Sequence, residues 1–426
     1  MKNIFFTILN SLFTIIVIYL MQALPCYCKI GYIDKTGKVR INLDKYAFNP
    51  LQLFYKRPLK GSIMSLEPFF NKRALVYIYD ETVELKRTIS FIDTKGKLLN
   101  VRFIDAKSFS QNLAAVEIKN KWGFIDLDGN IVIKPIFDYA LPFSEDLAPV
   151  KLKDKWGYID LQGNIVIKPQ FDNAIPFHED RAVIKFNNLI GFINKEGEII
   201  VQPKYKTAYS FSDGLAFVSI NKYPDKAGYC YINSEGAEVI KISANNFTWD
   251  KMSHSLYKKS IHSITARGHA YCFRIGQDSP TNINYYRGIT LVNEIEYFSE
   301  GLAPVQIKNK FGYIDKIGKV VIKPLFDAAA PFSEGLACVS VEGKVGYIDK
   351  TGNYVIKPQF YYGRPFSNGC ALTEDSKGRC TYIDKTGKSL FNRKLYDKEH
   401  EVDYSFSEGY AGFFNSLTPY DFEIDL

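Results

Sequence analysis

The sequence is poor in the residues that usually carry chemistry. Five His, seven Cys, four Met and three Trp are spread through 426 residues. No Gly-x-Ser-x-Gly elbow occurs, so the strained turn that exposes a hydrolase nucleophile is missing. No Gly-rich phosphate loop is present. No Cys or His pair has zinc spacing. Charge of one sign is also thin: 54 Lys+Arg against 46 Asp+Glu leave +8, well mixed and without a Lys/Arg run. A nucleic-acid footprint needs clustered cations, so no nucleic-acid partner is expected.

Long apolar runs are missing except at the start. Ile4 to Leu20 is interrupted only by Thr7, Asn10, Ser11 and Thr14, and Lys2 is the only charge before Lys29. A basic residue followed by an apolar run is the form of a secretory signal, with Ala23 and Cys28 small enough for cleavage. The run is also nearly long enough to span a bilayer, which leaves an uncleaved anchor open. Cys26 opens lipid attachment, against which Pro25 stands in the preceding position. Residues 1–28 are therefore read as a signal peptide or membrane anchor, and the protein as exported: periplasmic, cell-surface or secreted. A membrane is involved only through this segment, if it stays uncleaved. Export permits disulfides. The Cys at 26, 28, 230, 272, 338, 370 and 380 leave five after cleavage at Cys28, and an odd number argues against a disulfide framework. Cys370 and Cys380 flank one hairpin, so a bridge between them stays open on geometry.

What is abundant is aromatic and apolar: 29 Tyr, 32 Phe and 46% hydrophobic residues, which excludes global disorder and favours strands. Gly (29) and Pro (18) are spread evenly, which suggests many turns. These residues recur in a unit. Its first half is Gly-aromatic-Ile-Asp/Asn-x-x-Gly, beginning at Gly31, Ser90, Gly123, Gly157, Gly191, Cys230, Gly312, Gly346 and Thr381. Its second half is Phe, three variable residues often reading Ser-Glu-Gly, one more, then Ala. It begins at Phe69, Phe109, Phe143, Phe177, Phe211, Phe298, Phe332, Phe366 and Phe406. The halves alternate nine times with a regular period of 34. Residues 29–414 thus form one repeat array and 415–426 a tail.

Two excesses break the period, of 18 residues near 44–62 and of 48 near 243–290. Insertions in repeat arrays land on loops of one edge or face, often the binding one. Alternatively each hides a decayed copy; residues 286–296 look strand-like. In the regular unit, Trp156 to Asp160 reads as a strand, Asp160-Leu161-Gln162-Gly163 as a type I turn with Gly left-handed, and Asn164 to Lys168 as a second strand. Pro169 ends it or marks an edge, and Ala182 to Phe186 is a third strand turning at Asn187-Asn188. The expected fold is all-β: tandem three-stranded β-meander repeats stacked in an open superhelical or solenoid-like array. A closed propeller-like ring is the alternative.

The run Lys121-Trp122-Gly123-Phe124-Ile125-Asp126, echoed by Lys155-Trp156-Gly157-Tyr158-Ile159-Asp160, resembles the WG (KWG) repeat family, found largely in bacterial proteins. The resemblance implies an exported β-rich scaffold that mediates interactions, and it supplies no catalytic residues. Trp stands only at 122 and 156; Ile30, Ile89, Ile190, Tyr229, Phe311, Val345 and Cys380 take its place elsewhere, which argues for packing. The recurring Asp (34, 93, 126, 160, 315, 349, 384) suits turns better than a cation ladder, because Phe137 stands where a calcium loop needs Glu.

The function expected is therefore an exported non-catalytic scaffold for protein or envelope-glycan contacts, with no cofactor and no metal. The alternative is a hydrolase with its site in the 243–290 insertion. His254, His262 and His269 lie there at spacings that match no metal signature. Trp249, His254, His262, Arg267 and Tyr271, in the least repeat-like stretch, are the candidate binding residues.

Overall fold

The computed structural model describes residues 29–45 except 35–37 and 44, then 63–80, 82–83, 87–220, 229–242, 274–275, 283–286, 289–292, 297–307, 310–376, 380–392, 407–408 and 411–415. The described residues contain strands and turns and no α-helix. They form nine sheets, one for each copy of the repeat.

The fourth unit shows the pattern. A two-residue lead strand, Tyr139–Ala140, is followed by Leu147–Leu152, Lys155–Asp160 and Ile165–Phe171. All are antiparallel neighbours in chain order. The lead strand is a correction to the three-stranded unit read from sequence. Two residues are too few to show a period-2 pattern. A second correction is to the unit's phase: Ala182–Phe186 pairs forward with Leu189–Ile193, and so belongs to the fifth sheet, behind the lead strand Asn173–Ala174.

The turns follow the sequence reading. In the Asp126 turn, Gly129 N–H donates to the Asp126 carbonyl at 3.1 Å, and Gly129 has φ of 89°. Asp126 Oδ1 accepts the Asp128 and Asn130 backbone N–H groups at 2.9 and 2.8 Å. Asp93, Asp160, Asp315, Asp349 and Asp384 repeat this arrangement. The hairpin turns at Lys153-Asp154 and Asn187-Asn188 have positive φ at both residues, the backbone of a type I′ turn.

These carboxylates give the fold an acid limit. Partial burial pushes Asp126 and Asp160 up, but the hydrogen bonds from Asn130 and Asn164 and the turn amides outweigh it, so both lie below the ordinary carboxyl value. Asp349 and Asp384 are held low first by the Thr351 and Thr386 hydroxyls. A depressed folded pKa stabilises above the unfolded value, near 3.9, and that stabilisation is lost as pH falls through the folded one. The melting temperature is therefore expected to fall progressively below about pH 4. Calorimetry from pH 7 to pH 3 checks this, and a flat profile refutes it.

Neighbouring units join through both halves of the motif. The aromatic after Gly157, Tyr158, is fully buried, meets Phe177 edge-on at 4.9 Å between centroids, and donates to the Ile175 carbonyl at 2.8 Å. Equivalent ring pairs are Tyr32–Phe69, Phe91–Phe109, Phe124–Phe143, Phe192–Phe211, Tyr231–Phe298, Tyr313–Phe332 and Tyr347–Phe366. The Phe-Ser-Glu loops also link to one another. Ser144 Oγ donates to the Phe177 carbonyl at 2.7 Å, and Asp180 N–H donates to the Glu145 carboxylate at 2.9 Å. Ser110, Ser212, Ser299 and Ser333 do the same toward Phe143, Phe298, Phe332 and Phe366.

The chain closes on itself. Ser407 Oγ donates to the Phe69 carbonyl at 2.5 Å, and Lys72 N–H donates to Glu408 at 2.8 Å. Ala411–Asn415 pairs with Lys29–Ile33, so the last strand completes the first sheet. One core cluster holds Tyr32, Ile33, Leu372, Tyr382 and Ala411 together. The open array is thereby overturned: the nine units form a closed, propeller-like ring. Each unit has a neighbour for both of its apolar faces, so closure buries the two faces that an open array would leave exposed at its ends.

The ring also resolves the larger insertion. Ser212 reaches Phe298 at 2.6 Å, Gly301 N–H donates to Asp213, and Gly318 packs on Ile240. The sixth and seventh units are thus direct neighbours, with no decayed unit between them.

Candidate functional site

Where a lead strand forms, in the fourth, fifth, sixth, eighth and ninth sheets, it lies on the side opposite the Ile165–Phe171 type of strand. Two described pieces of the 243–290 excess show which edge faces inward. Arg274–Ile275 pairs with the lead strand Thr207–Tyr209 of the sixth unit. The hairpin Ile283–Tyr286 with Ile289–Val292 meets the lead strand Tyr362–Gly363 of the ninth, at Ile289 and Gly363. From Ile275 to Ile283 the chain makes eight steps, a reach of at most about 29 Å. Two units stand between the sixth and the ninth. A chord across three steps of a nine-membered ring is that short on the inner side. The lead strands therefore border the inside of the ring, and the fourth strands lie roughly 14 Å further out at a strand spacing of about 4.8 Å. The outer strands carry Pro169 and its equivalents and expose Ile165 and Val166 by about half. Pro on an outer strand caps an otherwise open ladder.

Alternation in an antiparallel ladder turns one peptide group of each lead strand away from its partner, toward the inside. That residue is Ala106, Ala140, Ala174, Ala208, Ala329 or Gly363. Two are sealed by the preceding side chain: Ala106 N–H donates to Asp105 at 2.7 Å and Ala174 N–H to Asn173 at 2.8 Å. Two are paired with the insertion, Ala208 with Ile275 and Gly363 with Ile289. Ala140 and Ala329 follow Tyr139 and Ala328, which offer no carboxylate or amide for such a seal.

Aromatic side chains converge beside Ala140. Tyr139 stacks on Trp122 at 4.8 Å and meets Trp156 edge-on at 5.9 Å. Lys107 Nζ lies 5.1 Å from the Trp122 ring and 5.4 Å from the Tyr139 ring. Burial pulls the Lys107 pKa down, but Asp105 and Tyr139 more than offset it, so the ammonium stays charged against the rings. Trp122 is 3% exposed and Trp156 half-buried, so both pack as their substitutes Ile190 and Val345 do. The packing role of the Trp position is as read from the substitutions.

The Gly of the Trp-Gly pair has a role that the sequence reading missed. At Gly123 a Cβ would lie 2.5 Å from the Ile133 carbonyl oxygen and 2.8 Å from Pro135 N. At Gly157 it would lie 2.6 Å from Pro169 N and closer still to the Ile167 oxygen. The outer strand bulges there: Trp156 pairs Phe171 while Tyr158 pairs Ile167, so three residues face five. Gly lets the bulge fold inward. The signal lay in the sequence: Gly123, Gly157, Gly191, Gly312 and Gly346 each have Pro twelve residues on, Ser90, Cys230 and Thr381 do not, and Gly31, with Leu43 there, pairs without the bulge.

The candidate binding residues Trp249, His254, His262, Arg267 and Tyr271 lie outside the described residues, as do the apolar run 1–28 and the core of the 44–62 excess. Ala371 pairs with Ile383 and Glu374 with Cys380, so Cys370 and Cys380 sit at opposite ends of their hairpin, too far apart to bridge; Cys230 and Cys338 are buried thiols. Burial raises the Cys230 thiol to about 11 and Cys338 to about 12, which makes them inert packing groups. Among the described residues no cluster of three His, Cys, Asp or Glu side chains has the arrangement of a metal site. In the Phe177 loop, His178 and Arg181 replace the usual Ser and Leu, and Arg181 donates to the Ser234 and Glu179 carbonyls.

The fold and its inner edge define a class: a closed ring of short β-meanders, held by a repeated aromatic-Gly motif. The model of the WG containing repeat matches residues 89–122, 122–156, 156–189, 190–223, 292–311, 311–344 and 346–374, about half of the chain. The chain belongs to the family of WG-repeat proteins. No curated protein matches it. Solved structures resemble it loosely. The eukaryotic initiation factor is 11% identical with TM-score 0.44 over 91% of this chain and 98% of that one. The computationally designed Ika8 protein is 12% identical, TM-score 0.38, over 76% and 96%. BamB from Moraxella catarrhalis is 8% identical, TM-score 0.35, over 76% and 98%. The ring stands on the contacts within this chain and not on these scores.

Proposed function

We propose that this protein is an exported, non-catalytic scaffold whose inner ring edge holds a protein or glycan of the cell envelope. The observation that carries the reading is the placement of the insertion. The least repeat-like part of the chain has strands on the inner edges of the sixth and ninth units, which joins non-repeat sequence to the repeat frame. Binding residues are commonly carried on loops positioned by such a frame. The apolar run from Ile4 to Leu20 behind Lys2 supports export.

Pull-down from envelope fractions tests it, with the full chain and with a chain lacking residues 243–290. Recovery of a specific partner is expected to drop at least tenfold without the insertion, while the melting temperature holds. Equal recovery removes the insertion from the function, and a partner-free full chain removes the scaffold reading. N-terminal sequencing of the mature protein checks export; a cytoplasmic chain still beginning at Met1 contradicts it.

A further inference from the structure

We infer that the outer turn and strand of the seventh unit form a docking surface for an anionic lipid bilayer. This stands apart from the scaffold reading, which concerns the inner edge, and adds a membrane contact to the one expected of residues 1–28. The residue before the turn glycine is polar in the other copies, from Thr36 and Lys95 to Thr351 and Thr386. In the seventh it is Ile317, which is 76% exposed at the tip of the turn Asp315-Lys316-Ile317-Gly318. Nothing in the turn needs an apolar residue there. Gly318 takes the positive φ, and Asp315 Oδ1 accepts the Ile317 and Lys319 backbone N–H groups, as in the other Asp turns. The outer strand Val320–Phe326 follows, with Val320 and Val321 nearly half exposed and Leu325 62% exposed. Exposed Val321, Lys323 and Leu325 alternate along it with buried Ile322 and half-buried Pro324.

The cations around these side chains are uncommitted. Lys195, Lys350 and Lys385 share the turn position of Lys316 and pair with Glu145, Glu300 and Glu334 of the Phe-Ser-Glu loops. Asp213 stands in the corresponding place for Lys316; it is one methylene shorter, and its carboxylate accepts the Gly301 N–H. Lys316, Lys319 and Lys323 are exposed, and among the described residues their ammonium groups form no ion pair. This chemistry selects the occupant. Lysine ammonium groups around protruding aliphatic side chains suit an anionic surface with an apolar interior, where Lys reaches headgroups and Ile317 and Leu325 reach the acyl boundary. A second copy would set lysines against lysines. Pro324 keeps the outer strand from extending its ladder to another chain. The turn tip protrudes and offers no groove for a protein side chain, whereas a fluid bilayer yields to it.

Ile317→Trp in the full chain places a fluorophore at the tip. Vesicles of equal parts phosphatidylglycerol and brominated phosphatidylcholine read its contact with lipid. Quenching beyond that of the unsubstituted chain is expected, absent with brominated phosphatidylcholine alone and weakened by salt, which screens the lysines. Gln162→Trp, at the same turn position of the fourth unit, is expected to add no quenching. That control separates docking by this turn from tethering by the apolar run 1–28. Replacing Lys316, Lys319 and Lys323 together by Gln in the Ile317→Trp chain is expected to raise the lipid needed for half quenching by about a hundredfold, with the melting temperature held. Equal quenching at positions 317 and 162, or none added at 317, overturns the inference, as does a triple Gln chain that docks as before. Emission of the Ile317→Trp chain that shifts with a peptide of alternating Leu and Glu, and not with vesicles, assigns the patch to an acidic protein and overturns the lipid. Recovery of an envelope partner bears on the inner edge alone, so either reading can fail without the other.

Discussion

Replacing Gly157 by Ala is expected to cost about 3 kcal/mol or more, read as a lower urea midpoint. The added methyl would meet the Ile167 carbonyl and Pro169 N, which are backbone atoms of the bulge and cannot swing aside as a side chain would. Relief requires the bulge to open, and with it the pairing of Trp156 with Phe171. A comparison separates this crowding from ordinary glycine effects. Gly335 has φ of 87° and nothing within 4 Å of the place a methyl would take. Gly335→Ala should therefore show only the left-handed backbone penalty of about 1 kcal/mol. If the two variants lose the same stability, the bulge is softer than the geometry indicates. The Cys230 and Thr381 units, which lack the Pro, show how the site relaxes: Cys230 pairs directly with Lys241 and Thr381 with Asn392, without that bulge.

The second large effect is expected from the ring closure. Removing residues 401–426 deletes Ser407, Glu408 and the strand Ala411–Asn415. The first sheet then loses a strand, and Phe69 and Lys72 lose their partners. Residues more than 330 positions apart no longer meet. The truncated chain is expected to show a larger radius of gyration by small-angle scattering and a broadened, earlier melt. Broadening follows because a stack whose ends are free frays from them, whereas a closed one has no ends. Single changes at the same place are milder: Ser407→Ala removes one hydrogen bond, worth about 1 kcal/mol. A truncated chain with the scattering profile of the intact one would show that the ring holds without its clasp.

Much of this fold was legible in the sequence because the unit is written nine times. Repetition separated what the fold requires from what it tolerates. Tyr158 and Phe177 recur nineteen residues apart because their rings meet edge-on across a unit boundary. The Asp-x-x-Gly pattern declared its turn because only Gly sits easily at the positive φ of Gly163. The closure was not legible. Whether a stack of meanders stays open depends on the small rotation between neighbours, which no single unit encodes in its residue pattern. The Tyr139–Ala140 strand was missed because two residues have no periodicity. The inner edge was illegible for a related reason. Ala106, Ala140 and Ala174 look alike in sequence, and only the hydrogen bonds of Asp105 and Asn173 show which of their amides a side chain caps.

The clasp between Lys29–Ile33 and Ala411–Asn415 also sets how such a protein can change over generations. An open stack can gain or lose a copy at either end with little penalty. A circle fixes its own copy number: a tenth member would alter the angle at every joint, and a lost one would leave a gap that eight joints must share. Novelty is therefore steered into the spacing between copies. The two departures from the period in this chain, near 44–62 and 243–290, fall there, while the nine copies around them keep their count.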